Sequence, residues 1–307
     1  MNWIALVSLA VFFDSLQLFI SNYIADTYFK KRGAVSQKIY SSVLALTIAI
    51  IILIITNFSF KTANLTSIGL IILSGIFTVI DGIPYMRALE IDDSTNMGIF
   101  VQLTPLLYLI IGWLFLNEPF SPKQLIPFIF ILAAPILIVL TTRKKSRHTK
   151  LRAILCAFLY VLLSAIGNLI FVESSNNIMF VQSMSFLFIG KFIGTAIIIF
   201  PQKKWRKRLS STIKESKYKV LRPITVNFFV SIVKDFCYRG ALIIAPTVAI
   251  ASASSDAVEP VVIFFMGIIL TLIWPKFGRE KLNRKTVIVH FISIILVVIG
   301  IILLNML

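Results

Sequence analysis

Ten stretches of about 20 mostly apolar residues, divided by short polar or basic breaks, occupy almost the whole of this chain. They fall near 3–25, 39–57, 66–86, 95–116 and 124–142, then 153–172, 178–200, 223–243, 247–274 and 286–305. A helix of about 20 residues crosses a hydrocarbon core about 30 Å thick, so the expected fold is an all-α integral membrane protein with ten transmembrane helices. With 58% apolar residues, 14% charged residues and a mean hydropathy of +0.93, little is left over for a soluble domain. The first stretch has full length and no small-residue cleavage site after a basic start, so it is read as a retained helix.

The net charge of +17 does not point to nucleic acid, because the basic residues lie in short breaks between apolar stretches. Contact with lipid headgroups is the expected role of such breaks. The run KKWRKRLSSTIKESKYK is accordingly read as a solvated loop without a substrate role. Cys156 and Cys237 fall inside apolar stretches without metal-type spacing and are read as structural thiols. No cofactor and no metal site is expected.

The segment from Tyr85 to Leu125 returns in looser form from Tyr238 to Leu282: an Ala-Leu pair, an apolar span carrying a proline, then a polar turn before another span. Two similar halves of five helices follow. Because five is odd, the second half must enter the membrane from the side opposite to the first, which makes the repeats inverted. Loop charge sets the orientation. The connections after the odd-numbered helices hold 25 of the 30 Lys and Arg, including Lys30, Lys31, Arg32, Lys38, Arg87 and nine from Lys203 to Arg222. The opposite loops hold Lys61 and Lys123 alone. The odd loops are therefore expected in the cytoplasm and both termini outside, in the cell (plasma or inner) membrane.

A charge at the bilayer centre costs at least about 2.5–3.5 kcal/mol, so every charge inside a span needs a partner, a cavity or a proton. The candidates are Asp14, with Gln17 three residues on, Asp81, Lys191, Lys234, Asp235, Arg239, Asp256 and Glu259. Gln102, Tyr108 and Asn168 are further cavity candidates, although single amides and phenols in spans commonly bond a neighbouring helix. His290 is read as a packing group. Pro84 and Pro105 should bend their helices. Asp235 and Arg239 are four apart and could form an internal ion pair. Asp256 and Glu259 are three apart and could share a proton or bind a cation, unless Asp256 sits in a wet helix mouth. Aligning Tyr85 with Tyr238 sets Asp81 against Lys234, equivalent positions of opposite charge, for which separate partners are favoured over a direct pair. Five embedded acids against three bases suit a zwitterion or a cation better than a large anion.

The residues LEIDDSTNMGIFVQLTPLLYLIIGWLFLNEPFSPKQLIPFIFILAAPILIVL resemble the drug/metabolite transporter superfamily, in its EamA-like branch of ten helices. The echoes are Ala88-Leu89, the Pro105 helix with Gly112-Trp113, and the turn Asn117-Glu118-Pro119-Phe120-Ser121-Pro122, with asparagine where the family has glycine. The second copy repeats the pattern around Ala241-Leu242 and Glu259-Pro260-Val261-Val262, while Trp274-Pro275-Lys276-Phe277-Gly278 replaces the Glu-Pro turn. The resemblance implies two EamA-like repeats, 1–143 and 151–307, enclosing a cavity for a small organic metabolite moved by alternating access, with proton coupling or exchange as driving modes. Self-association into a homo-oligomer is left open. The competing expectation is a membrane-embedded enzyme acting on lipid-like substrates, for which the chain shows no nucleophile elbow, phosphate loop or His/Cys/Asp cluster.

Overall fold

The computed structural model describes residues 2–29, 34–57, 64–91, 104–115, 151–176 and 178–273, with single helical positions between 126 and 137 and between 288 and 303. Among the described residues every regular element is a helix and none is a strand. Ten α-helices can be followed: α1 (Trp3–Thr27), α2 (Gln37–Ile55), α3 (Leu65–Ile80), α4 (Gly82–Ile91), α5 (Thr104–Phe115), α6 (Leu151–Ser175), α7 (Phe180–Gly194), α8 (Lys203–Glu215), α9 (Leu221–Ile244) and α10 (Val248–Ile273). A π-helical turn, Thr195–Ile199, extends α7.

Local sequence explains several boundaries. Asn2 and Asn64 cap α1 and α3, each accepting a backbone N–H two residues on through its side-chain oxygen, at 3.1 and 3.2 Å. Asn57 ends α2 in left-handed backbone at φ 52°, a conformation asparagine tolerates better than most residues. Between α3 and α4 the chain breaks at Asp81 but keeps helical direction, with Asp81 N bonded to Phe77 O at 2.9 Å. Pro84 accounts for the break. It has no N–H to give Ile80 and its ring crowds that carbonyl.

Six segments are long and apolar enough to cross a membrane: Trp3–Thr27, Gln37–Ile55, Leu65–Tyr85, Leu155–Ser175, Phe180–Ile199 and Val248–Leu270. This chain is an integral membrane protein. Its α9 has the length for a crossing, about 36 Å at 1.5 Å per residue, but carries Lys234, Asp235 and Arg239 along its inner turns. The expected fourth span is described from Thr104 to Phe115, and most of the fifth and tenth lie outside the described residues. The run read as a basic loop departs from expectation. Its residues 203–215 form helix α8, because Trp205, Leu209, Thr212 and Ile213 recur at helical spacing on one face and pack beneath it.

Packing is by pairs of helices from the two sequence halves. α1 lies against α9 and α10, α6 against α3, α4 and α5, α2 against α7, and α5 against α10, while α7 also packs on α3 and α9 touches α2. Small residues set the closest crossing: a Cβ placed on Gly190 of α7 would lie 2.9 Å from the Cα of Gly75 in α3. Ser74 beside it donates to the Gly167 carbonyl of α6 at 2.6 Å. On the other side Ser21 of α1 donates to Asn227 of α9 at 3.3 Å. Tyr40 of α2 bonds Thr225 of α9 at 3.2 Å.

Candidate functional site

Between α1, α7 and α9, three helices contribute charges that pair with one another. Lys191 of α7 forms a hydrogen-bonded ion pair with Asp235 of α9. Lys234 bridges to Asp14 of α1 at 3.5 Å and to Asp235 at 3.7 Å. The result is a chain of alternating sign, Asp14–Lys234–Asp235–Lys191, whose middle link lies within α9 and whose outer links reach α1 and α7. Its members are not sealed off, since the Asp14 side chain is 44% open and that of Asp235 is 14% open.

Around this chain stand the other ionisable residues. Asp81, at the α3–α4 break, is an electrostatic neighbour of Lys38, Lys191 and Arg239. Lys38 extends from the first turn of α2 so that its ammonium rests against the backbone of Gly82. Glu259 of α10 has Asp14 and Lys234 as charged neighbours, and Asp256 has Glu259 and Asp14. Arg239 is buried at 3% exposure, with its guanidinium 4.4 Å from the centre of the Phe171 ring. Its Nη1, Asp256 Oδ2 and Gln17 Oε1 are buried and find no hydrogen-bond partner among the described residues.

An aromatic shell borders the charges. Asn168 of α6 donates to the Tyr108 hydroxyl of α5 at 2.6 Å, and Tyr238 of α9 is a further hydrogen-bond neighbour of that hydroxyl. Tyr85 of α4 and Tyr160 of α6 bring their rings to 4.9 Å. Tyr85 has Glu259 and Asp14 as charged neighbours. Tyr160 has Asp81.

Eleven of the twelve sequence candidates can be located, and Gln102 lies outside the described residues, as does His290. Asp14, Lys191, Lys234 and Asp235 come together directly. Asp81 and Lys234 do not pair with each other, in keeping with separate partners for the two equivalent positions. The Asp235–Arg239 pair expected from spacing is replaced. Among the described residues Asp235 binds the two lysines, and Arg239 turns to Phe171. Asp256 is not in a helix mouth, for α10 begins at Val248, more than two turns earlier. Lys38, Tyr85, Tyr160 and Tyr238 escaped the sequence reading. Lys38 falls in sequence among the loop cations, and the tyrosines carry no charge to mark them within an apolar run.

The arrangement is that of a helical membrane protein whose charges converge between helices of both halves. Residues 1–140 match the EamA-like transporter family, so the resemblance read from the sequence holds over the first half, and that family is one of membrane transporters of the drug/metabolite type. No curated protein matches the sequence. Among solved structures, one crystal structure of a protein aligns over 98% of this chain and 95% of its own length, with a TM-score of 0.62 at 12% identity. At that identity the likeness is one of fold alone.

Proposed function

We propose that the chain is a secondary transporter that moves a small zwitterionic or cationic organic metabolite by alternating access between two inverted five-helix repeats, 1–143 and 151–307. The observation that carries this reading is the charge chain Asp14–Lys234–Asp235–Lys191, built from helices of both halves and with side chains left partly accessible within the spans. A network that only held helices together would gain most by being closed.

The helix pairings support the two-fold relation. Exchanging each span of the first half with its counterpart in the second turns the pair α1–α9 into α6–α3/α4, and α1–α10 into α6–α5; α2–α7 and α5–α10 map onto themselves. Arg239 and Asp256 suggest how a zwitterion would be held. Each offers a buried atom without a hydrogen-bond partner among the described residues, one suited to a carboxylate and the other to an ammonium group. Glu259, between Asp14 and Lys234, is the candidate coupling carboxylate. Orientation follows the loop charges, with odd loops cytoplasmic, and a reporter at Leu307 that is active only in the cytoplasm contradicts it.

The test is flux in proteoliposomes with a panel of amino acids, amines and sugars, with and without an imposed proton gradient. Saturable flux of at least one zwitterion or amine is expected, reduced in Glu259→Gln when the gradient drives it. Absence of flux and of binding across the panel overturns the reading.

A further inference from the structure

Helix α8 and the turn after it enclose a groove that the transport reading does not use. The groove is about 310 Å³ in volume, near the lower end of the range for small-ligand clefts. Its floor is apolar, made by Ile39 of α2 with Leu209 and Ile213 of α8. Two aromatic residues flank it. Phe200, just past the π turn, and Tyr218, after α8, are 50% and 67% exposed. Two cations complete it, Arg206 and Lys214, two turns apart on the same face of α8 as Leu209 and Ile213.

We propose that this groove is a binding site for one anionic phospholipid, whose phosphate lies between Arg206 and Lys214 while the first part of an acyl chain covers Ile39, Leu209 and Ile213. Charge complementarity names the occupant. Among the described residues neither cation has a carboxylate within ion-pairing distance, and Arg206 stacks on Phe200 at 5.1 Å, which orients its guanidinium at the groove. An apolar floor under two cations matches a lipid and not a free anion. The aromatic flanks match the membrane interface, where such rings collect.

Two further features fix α8 in place for this role. Arg208 donates from Nη2 to the Phe29 carbonyl at the end of α1 at 2.9 Å, tying the helix to the bundle. Lys217 and Tyr218 both take left-handed backbone, at φ 49° and 66°, and their turn is closed by Tyr218 N to Ile213 O at 2.9 Å. Two successive residues other than glycine in that region are uncommon. Here they bring the Tyr218 ring over the groove.

The experiment titrates the full-length protein in neutral detergent with dioleoyl phosphatidylglycerol, dioleoyl phosphatidylcholine or inorganic phosphate, read by native mass spectrometry and by thermal shift. One retained phosphatidylglycerol is expected, with phosphatidylcholine and phosphate giving neither adduct nor shift. The double variant Arg206→Gln/Lys214→Gln should weaken phosphatidylglycerol binding about tenfold. Lys204→Gln/Lys207→Gln removes the same charge from exposed positions outside the groove and should leave binding within about twofold. Ile213→Trp fills the groove without altering charge and should also abolish retention. Equal loss in both charge-matched variants, equal binding of phosphatidylcholine, or full competition by inorganic phosphate overturns the proposal.

Discussion

Under the proposed two-fold relation the seam between α1 and α9 and the seam between α6 and α3/α4 are counterparts, yet they are held by different chemistry. The first is ionic: Asp14 meets Lys234, and Ser21 meets Asn227. The second is close-packed and aromatic: Ser74 bonds the Gly167 backbone, and Tyr85 meets Tyr160. Their central helices differ in continuity as well. Pro84 breaks the first-half helix at Asp81, whereas its counterpart Cys237 leaves α9 continuous through Lys234. One frame can therefore carry a close-packed seam and a polar one, and the polar seam is where accessible charge lies within the spans.

The largest expected effect tests the close-packed side. Gly167→Val in α6 puts its Cβ 2.9 Å from the Cβ of Phe77 in α3, an atom fixed to the backbone that cannot rotate away, so a loss of about 3 kcal/mol or more, or no monodisperse protein, is expected. Gly240→Ala on the polar side meets only the tip of Leu6 at 3.3 Å and should stay within about 1 kcal/mol in thermal unfolding. Similar losses at both positions would erase the distinction.

Next comes Lys234→Met, which removes one partner from both Asp14 and Asp235. Because Lys234 and Asp14 are 24% and 44% exposed, about 1–2 kcal/mol of stability is expected, less than for a sealed pair. Tyr160→Leu, on the other seam, should cost about 1 kcal/mol through its ring contact. Thermal shifts at low and high salt separate the two, since salt should narrow the difference between wild type and Lys234→Met and leave that of Tyr160→Leu unchanged. The smallest effect on stability is Pro84→Ala. It restores an N–H for Ile80 and should shift stability by no more than about 1 kcal/mol, while straightening the α3–α4 break and slowing flux.

Much of this frame could be read from the chain because lipid imposes long apolar runs. The stretch at 3–25 became Trp3–Thr27, and that at 247–274 became Val248–Ile273. The partners of charges were harder to read. The i, i+4 spacing of Asp235 and Arg239 suits a pair within one helix, but Lys191 approaches from α7 and takes Asp235, and no local pattern records that packing. Lys38 sits at the junction of loop and helix, so its charge was assigned to the loop although its side chain reaches Gly82. Residues 203–215 did carry a helical signal in Trp205, Leu209 and Thr212, masked by the density of lysine and arginine around it.

On the proposed function, substrate is handled at the polar seam. The direct measurement is initial flux of the best panel substrate into proteoliposomes holding equal amounts of wild type, Lys234→Met and Asp14→Asn/Lys234→Met. Flux should fall at least about tenfold in both variants while each remains folded and monodisperse, with Tyr160→Leu keeping most of its activity. Undiminished flux in these two variants would place substrate handling elsewhere in the molecule.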